Sequence, residues 1–119
     1  MTAGTQQAQR TEPPEDVIVT GGLDVSAAEV ERAILACGDV RECAVIGLPD
    51  GLWGERVSAV VVLHAGARQS AESIVRHCRE RLPAFKTPKQ VILLDHDLPR
   101  TPDGAVRKRM LAEAYGGLS

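Results

Sequence analysis

Two apolar runs separated only by a turn dominate the middle of the chain. Residues 43–48 read CAVIGL and residues 57–63 read VSAVVVL, with Pro49-Asp50-Gly51 between them. Valine and isoleucine favour strands, because branching at Cβ stiffens χ1 and packs well on a pleated surface. Proline, aspartate and glycine in succession supply a turn. A connection this short joins antiparallel neighbours. The predicted strands run over 40–48 and 55–64, and the second reads as a central strand.

The flanking segments fill in around this pair. The β-branched run Val17-Ile18-Val19, closed by Gly21-Gly22, predicts a short strand and a tight turn. Ser26 is a candidate N-cap with Glu29 three residues on, an S-x-x-E capping box. Ala27, Val30, Ala33, Ile34 and Cys37 then recur at helical spacing, and Gly38 is placed to stop the helix. A second helix is predicted over 70–81, with Ser70 as cap, Ile74, Cys78 and Leu82 as its apolar stripe and Pro83 beyond it. A third strand is predicted over 90–94. A loop with Pro99, Pro102 and Gly104 follows, then a final helix over 105–115. The order β-α-β-β-α-β-α places the chain in the α+β class. The expected architecture is a small three-stranded antiparallel-type sheet with helices packed on it, preceded by a short strand-turn. Residues 1–15 are expected to form a flexible arm, 16–115 the domain and 116–119 a tail.

Composition narrows the function classes. Only Trp53, Phe85 and Tyr115 are aromatic, too few for a base-stacking nucleic-acid binder. The formal net charge of −2 gives no electrostatic reason to expect a phosphate backbone or an anionic membrane. The run Arg107-Lys108-Arg109 reads as a solvated helix face or as a small binding patch. Cys37, Cys43 and Cys78 have no C-x-x-C spacing and read as reduced, buried thiols. No 18-residue apolar run and no apolar leader is present, so no membrane span is expected and the expected location is cytoplasmic. His64, His77 and His96 lack metal-ligand spacing, so no metal is expected, and Asp95 and Asp97 beside His96 read as a solvated loop.

Four segments together resemble one family. Residues 16–31, DVIVTGGLDVSAAEVE, are similar to a D-x-I-x-x-G-G stretch ending in E-x-E. Residues 44–63, AVIGLPDGLWGERVSAVVVL, carry G-x-P-D-x-x-x-G-E. Residues 84–101, AFKTPKQVILLDHDLPRT, are similar to Y-K-x-P followed by L-P-x-T. Residues 102–111, PDGAVRKRML, resemble a G-K-V/I-x-R/K segment. In this order and spacing they resemble the C-terminal lid domain of adenylate-forming enzymes, on the AMP-forming acyl-CoA synthetase side of the family.

The resemblance implies a lid on a much larger N-terminal domain that holds ATP and the acid. In one pose a lysine of the lid's last loop helps form the acyl-adenylate. In the other, the double-glycine turn lines the pantetheine tunnel for thioester formation. Carried over residue by residue, Ala105 occupies the lysine position between Gly104 and Val106. An ammonium there offsets charge building on the α-phosphate, and a methyl group does not. Its loss is expected to slow adenylation about a hundred- to a thousand-fold. Lys108, one helical turn or about 5 Å away, is not expected to compensate. Before residue 16 the family carries a ribose-contacting arginine; here Pro13 stands in its place, with Glu15 and Asp16 at the hinge. Gly21, Gly22 and Lys86 match positions on the CoA or pantetheine side. The glycines read equally as a turn that needs positive φ. Trp53 reads as an interface anchor or as cover for the sheet edge.

The resemblance, with Ala105 at the lysine position, implies a lid that is not an adenylating enzyme by itself and binds no cofactor alone. ATP, magnesium and CoA enter only with a partner large domain. The expected partner is such a domain, or an acyl or peptidyl carrier protein, met in trans for thioester formation or for regulation. The alternatives are a non-catalytic protein–protein module and a fragment of a full ligase with its lysine replaced by alanine.

Overall fold

The computed structural model describes residues 16–116. In chain order these form β1 (Val17–Thr20), β2 (Leu23–Ser26), α1 (Ala27–Leu35), β3 (Val40–Asp50), β4 (Gly54–Leu63), α2 (Ala71–Arg79), a 3-10 turn (Ala84–Lys86), β5 (Gln90–Leu94) and α3 (Lys108–Tyr115). The class is the α+β arrangement expected, but the sheet has five strands where three were anticipated. The proposed arm, residues 1–15, and all but the first residue of the tail lie outside the described residues.

The central pair forms as the apolar runs predict. β3 and β4 are antiparallel from Val40↔Leu63 to Asp50↔Gly54, with one irregularity near Arg41. β5 lies on the other edge of β4 and runs parallel to it, Ser58↔Gln90 through Val62↔Leu94. A parallel neighbour needs a crossover, and α2 with its flanking loops provides one. The anticipated strand-turn is itself a hairpin, Val17↔Ser26 through Thr20↔Leu23, joined to the sheet where Thr20 meets Gly54. The segment 23–26 therefore extends as a strand before Ser26 caps α1.

Burial on both faces explains the composition of β4. Val57, Ala59 and Val61 pack with Val30 and Ile34 of α1 and with Ile74 and Cys78 of α2. Val60 and Val62 face the other way, with Ala44, Ile46, Leu98 and Leu111 of α3. A strand covered on both sides loses the polar alternation of a half-exposed one. Each fully buried valine or isoleucine contributes about 1.5–3 kcal/mol before entropy is counted.

The helix caps settle local boundaries. Ser26 Oγ accepts from Glu29 N at 3.3 Å, but the Glu29 carboxylate turns instead to Lys86. Only half of the expected box therefore forms at α1. The reciprocal arrangement appears at α2, where Ser70 Oγ accepts from Ser73 N and Ser73 Oγ accepts from Ser70 N. α3 starts at Lys108, three residues later than predicted, because Ala105 belongs to a turn.

Candidate functional site: the double-glycine turn and the Ala105 hairpin

Gly21 and Gly22 are the two central residues of the β1–β2 hairpin, with φ of 58° and 82°. Positive φ at both positions is the signature of a type I′ turn, whose twist matches that of the strands. The turn is pinned to the β3–β4 connection, since Gly21 N donates to the Trp53 carbonyl at 2.8 Å. A Cβ on Gly21 would lie 2.9 Å from Trp53 Cε3, so the indole covers the turn closely enough to require glycine there.

Trp53 is held from its other side as well. The Asp50 carboxylate accepts from the Leu52 and Trp53 amides, and these two bonds hold its pKa below the usual carboxylate range. The Lys89 ammonium lies 5.2 Å from the centroid of the indole ring. Between these groups is an open cleft of about 250 Å³, lined by Gly21, Leu23, Trp53, Phe85 and Lys89 among others. Val19, Leu23, Leu52 and Trp53 are all exposed, so this end of the hairpin presents an apolar surface.

A carboxylate fills the gap between hairpin and sheet. Glu55 Oε1 accepts from Val19 N at 2.9 Å. Gly47 makes that reach possible, because a Cβ there would lie 2.9 Å from the Glu55 carboxyl carbon.

The second candidate segment is a small hairpin. Arg100 bridges to Val106, Gly104 N donates to Thr101 O at 2.9 Å, and Thr101 N donates to Ala105 O at 2.8 Å. With φ of 97° at Gly104, this is a β-turn followed by a left-handed residue, as P-D-G favours. Arg100 braces it, donating to the Gly104 carbonyl at 2.7 Å and to Glu42 at 2.6 Å. The Thr101 hydroxyl donates to Asp103 and lowers its pKa. The Ala105 methyl is exposed at this ordered tip.

The remaining candidates fall elsewhere. Lys86 is paired with Glu29 at 2.9 and 3.1 Å, so its ammonium is tied to α1. Its neighbour Phe85, which the sequence reading did not single out, lines the cleft instead. Asp16 holds Lys108 at 3.2 Å, and Lys108 also meets Glu31 at 2.8 Å; Glu15 lies outside the described residues. His77 Nε2 meets the Ala33 carbonyl at 2.7 Å and joins α2 to α1. Burial pushes the Cys43 thiol up to about 12 and the Cys78 thiol to about 11, unlike a nucleophilic cysteine. Among the described residues no helix is long and apolar enough to cross a membrane.

Residues 29–105 match the family model described as the AMP-binding enzyme C-terminal domain, well over half of the chain. The chain belongs to that family. The AMP-binding enzyme C-terminal domain is shared with a long-chain-fatty-acid–CoA ligase, FadD13, of Mycobacterium tuberculosis, 43% identical over 101 residues. That match covers 85% of this chain and 20% of the ligase. A CoA ligase of Gibberella moniliformis is 42% identical over 86% of the chain and 17% of its own length. Among solved structures, ATP-bound MatB from Rhodopseudomonas palustris superposes with a TM-score of 0.84 at 42% identity, over 87% of this chain and 20% of MatB. The chain thus spans about one fifth of the length of these relatives. Each of them carries, besides this domain, a large part with no counterpart here.

Proposed function

We propose that this domain serves the thioester-forming half of an AMP-forming acid–thiol ligase and contributes little to adenylation. It works with an adenylate-forming large domain, in trans where that domain is a separate chain. The large domain supplies the sites for ATP, magnesium and the acid; this domain supplies the double-glycine turn.

The observation that carries the reading is the contrast between the two segments. The Gly21-Gly22 turn has positive φ at both residues, is braced by Trp53 and opens on a cleft. Gly21 is engaged by Trp53, whereas nothing lies within 4 Å of an added Cβ on Gly22, which leaves the backbone there approachable by a thin ligand arm such as pantetheine. The Ala105 hairpin is equally ordered, yet presents a methyl group where the resemblance places an ammonium. Lys108 does not stand in for it, because Asp16 and Glu31 already engage its ammonium. The exposed apolar end of the hairpin supports docking on a partner surface, which regulation of that partner would also require.

The test supplies preformed acyl-adenylate and CoA to the large domain of an acyl-CoA ligase freed of its own lid. Adding this chain should accelerate thioester formation, and Gly21→Val should abolish the gain. A chain that leaves the thioester rate at the large domain's own level refutes the proposal.

A further inference from the structure

β5 is an unguarded edge of the sheet. It pairs with β4 from Ser58↔Gln90 to Val62↔Leu94, and among the described residues no strand pairs with its other side. The five residues of β5 are all half-buried or exposed, although residues 56–62 of the neighbouring β4 are buried. Leu93 is 38% exposed, one strand away from the centre of the sheet. Strand edges normally carry a charge, a proline or a bulge that blocks pairing with another chain. The free edge of β3 has such protection: an irregularity near Arg41, Pro49 within the strand, and Glu31 accepting from Val45 N at 2.9 Å. β5 reads QVILL, with no charge, proline or irregularity.

A trough of about 510 Å³ runs beside this edge, between α2 and β5. Its walls include Glu72, Val75, Arg76 and Arg79 of α2, with Lys89 and Val91. Among the described residues Glu72, Arg76, Arg79 and Lys89 form no ion pair. Topology fixes the polarity of the trough. β5 is parallel to β4, so α2, which connects them, runs the opposite way. Arg79 therefore lies at the Lys89 end of β5, where the two line a common depression, and Glu72 lies toward Leu94 and Asp95. An edge with one basic and one acidic end is complementary to itself after a two-fold rotation.

We infer that two copies of this chain pair through β5, antiparallel about Ile92, into one continuous sheet. That register sets Val91 opposite Leu93 and Lys89 opposite Asp95 of the second copy, each twice. Residues 89, 91, 93 and 95 share the α2 face, since strand residues alternate. Leu93 of the second copy then enters the trough against Val91 and Val75. Asp95, which in the single chain meets the exposed His96 at 2.9 Å, gains the Lys89 ammonium. The two α2 helices approach antiparallel, Glu72 of one toward Arg76 and Arg79 of the other. A shift of two residues either way would oppose Lys89 to Leu93, or Asp95 to Val91, so charge selects the register.

The test is sedimentation equilibrium of the chain between about 1 μM and 1 mM, with amide exchange of β5 followed by NMR over the same range. The mass should rise from 12.7 kDa toward twice that value, and the β5 amides should become protected in step. Leu93→Lys places a charge on the exposed edge and should hold the chain at the mass of one copy. Lys89→Glu and Asp95→Lys should each weaken the dimer about tenfold, and the two together should restore it to within about threefold of the parent. The charge swap decides the question if Leu93→Lys fails to fold. The mass of one copy at every concentration overturns the inference, as does a dimer indifferent to these substitutions, or a swap that deepens the loss. Protection of β5 at every concentration would mean that the chain covers its own edge, and overturns it as well. So does a lid-free ligase large domain that protects β5 while the chain alone stays single, which gives the edge to that domain. The pairing uses no residue of the double-glycine turn, so it stands or falls apart from the thioester reading.

Discussion

The Lys108 ammonium lies 2.8 Å from a Glu31 carboxylate oxygen, joining the first residue of α3 to α1. The same Glu31 oxygen accepts from Val45 N at 2.9 Å, and Asp16 takes a second contact with Lys108 at 3.2 Å. The side chains are 27%, 22% and 29% exposed, so the cluster is screened less than a surface pair. It clamps the helix after the Ala105 hairpin to the start of β1. Lys108→Met should therefore lower stability by about 1–2 kcal/mol, between the values for exposed and buried pairs. Urea unfolding checks this, and a double-mutant cycle with Glu31→Gln should show coupling; two additive losses would mean that the pair does not interact.

The double-glycine turn should tolerate substitution unequally. Gly22→Ala meets only the left-handed backbone cost, about 1 kcal/mol, because nothing lies within 4 Å of its added Cβ. Gly21→Ala adds the contact with Trp53 Cε3 and should cost about 1–3 kcal/mol more, with a change in Trp53 fluorescence. Equal losses at both positions would show that the indole moves aside freely.

The thiols of Cys43 and Cys78 should resist alkylation near pH 8 in the folded chain and react once urea unfolds it. Desolvation raises Cys43 to about 12 and Cys78 to about 11 from a reference of 9.0. The folded state then holds these protons longer than the unfolded chain. Their contribution to stability is fully present below about pH 9 and is lost as pH rises through 11 and 12. Stability that increased across that window would contradict the burial of both thiols.

The hairpin that presents Ala105 should depend on Arg100. Its guanidinium ties the Gly104 carbonyl to Glu42 of β3. Arg100→Ala should speed amide exchange at Gly104 and Ala105, whose N–H groups donate to Thr101, by roughly tenfold. Unchanged exchange at these two amides would assign the order of the hairpin to its turn residues alone.

Most of the fold was legible because the apolar periodicity is undisturbed. β3, β4, β5, α1 and α2 fall within a few residues of their predicted bounds. The misses have local causes. Leu23–Ser26 holds too few β-branched residues to read as a strand, and its pairing depends on the positive-φ turn before it. The parallel sense of β5 depends on the crossover through α2, which pairwise loop lengths do not reveal. At the site, the special glycines and the alanine at 105 were visible, but the contacts that organise them were not. Lys89 and Trp53 lie 36 positions apart in sequence, Lys86 and Glu29 57, and Lys108 and Asp16 92. No periodicity connects such pairs; only the sheet brings them together.

In the proposed function, Ala105 removes adenylation from this lid while thioester formation remains. Ala105 is exposed at the tip of a hairpin held by backbone hydrogen bonds, so Ala105→Lys should fold without strain. The direct measurement is pyrophosphate release from ATP and acid, with a lid-free large domain supplied and either the parent chain or Ala105→Lys added. Release should stay near the large domain's own level with the parent chain and rise about a hundred-fold or more with the lysine. A parent chain that stimulates pyrophosphate release as strongly as Ala105→Lys would contradict it.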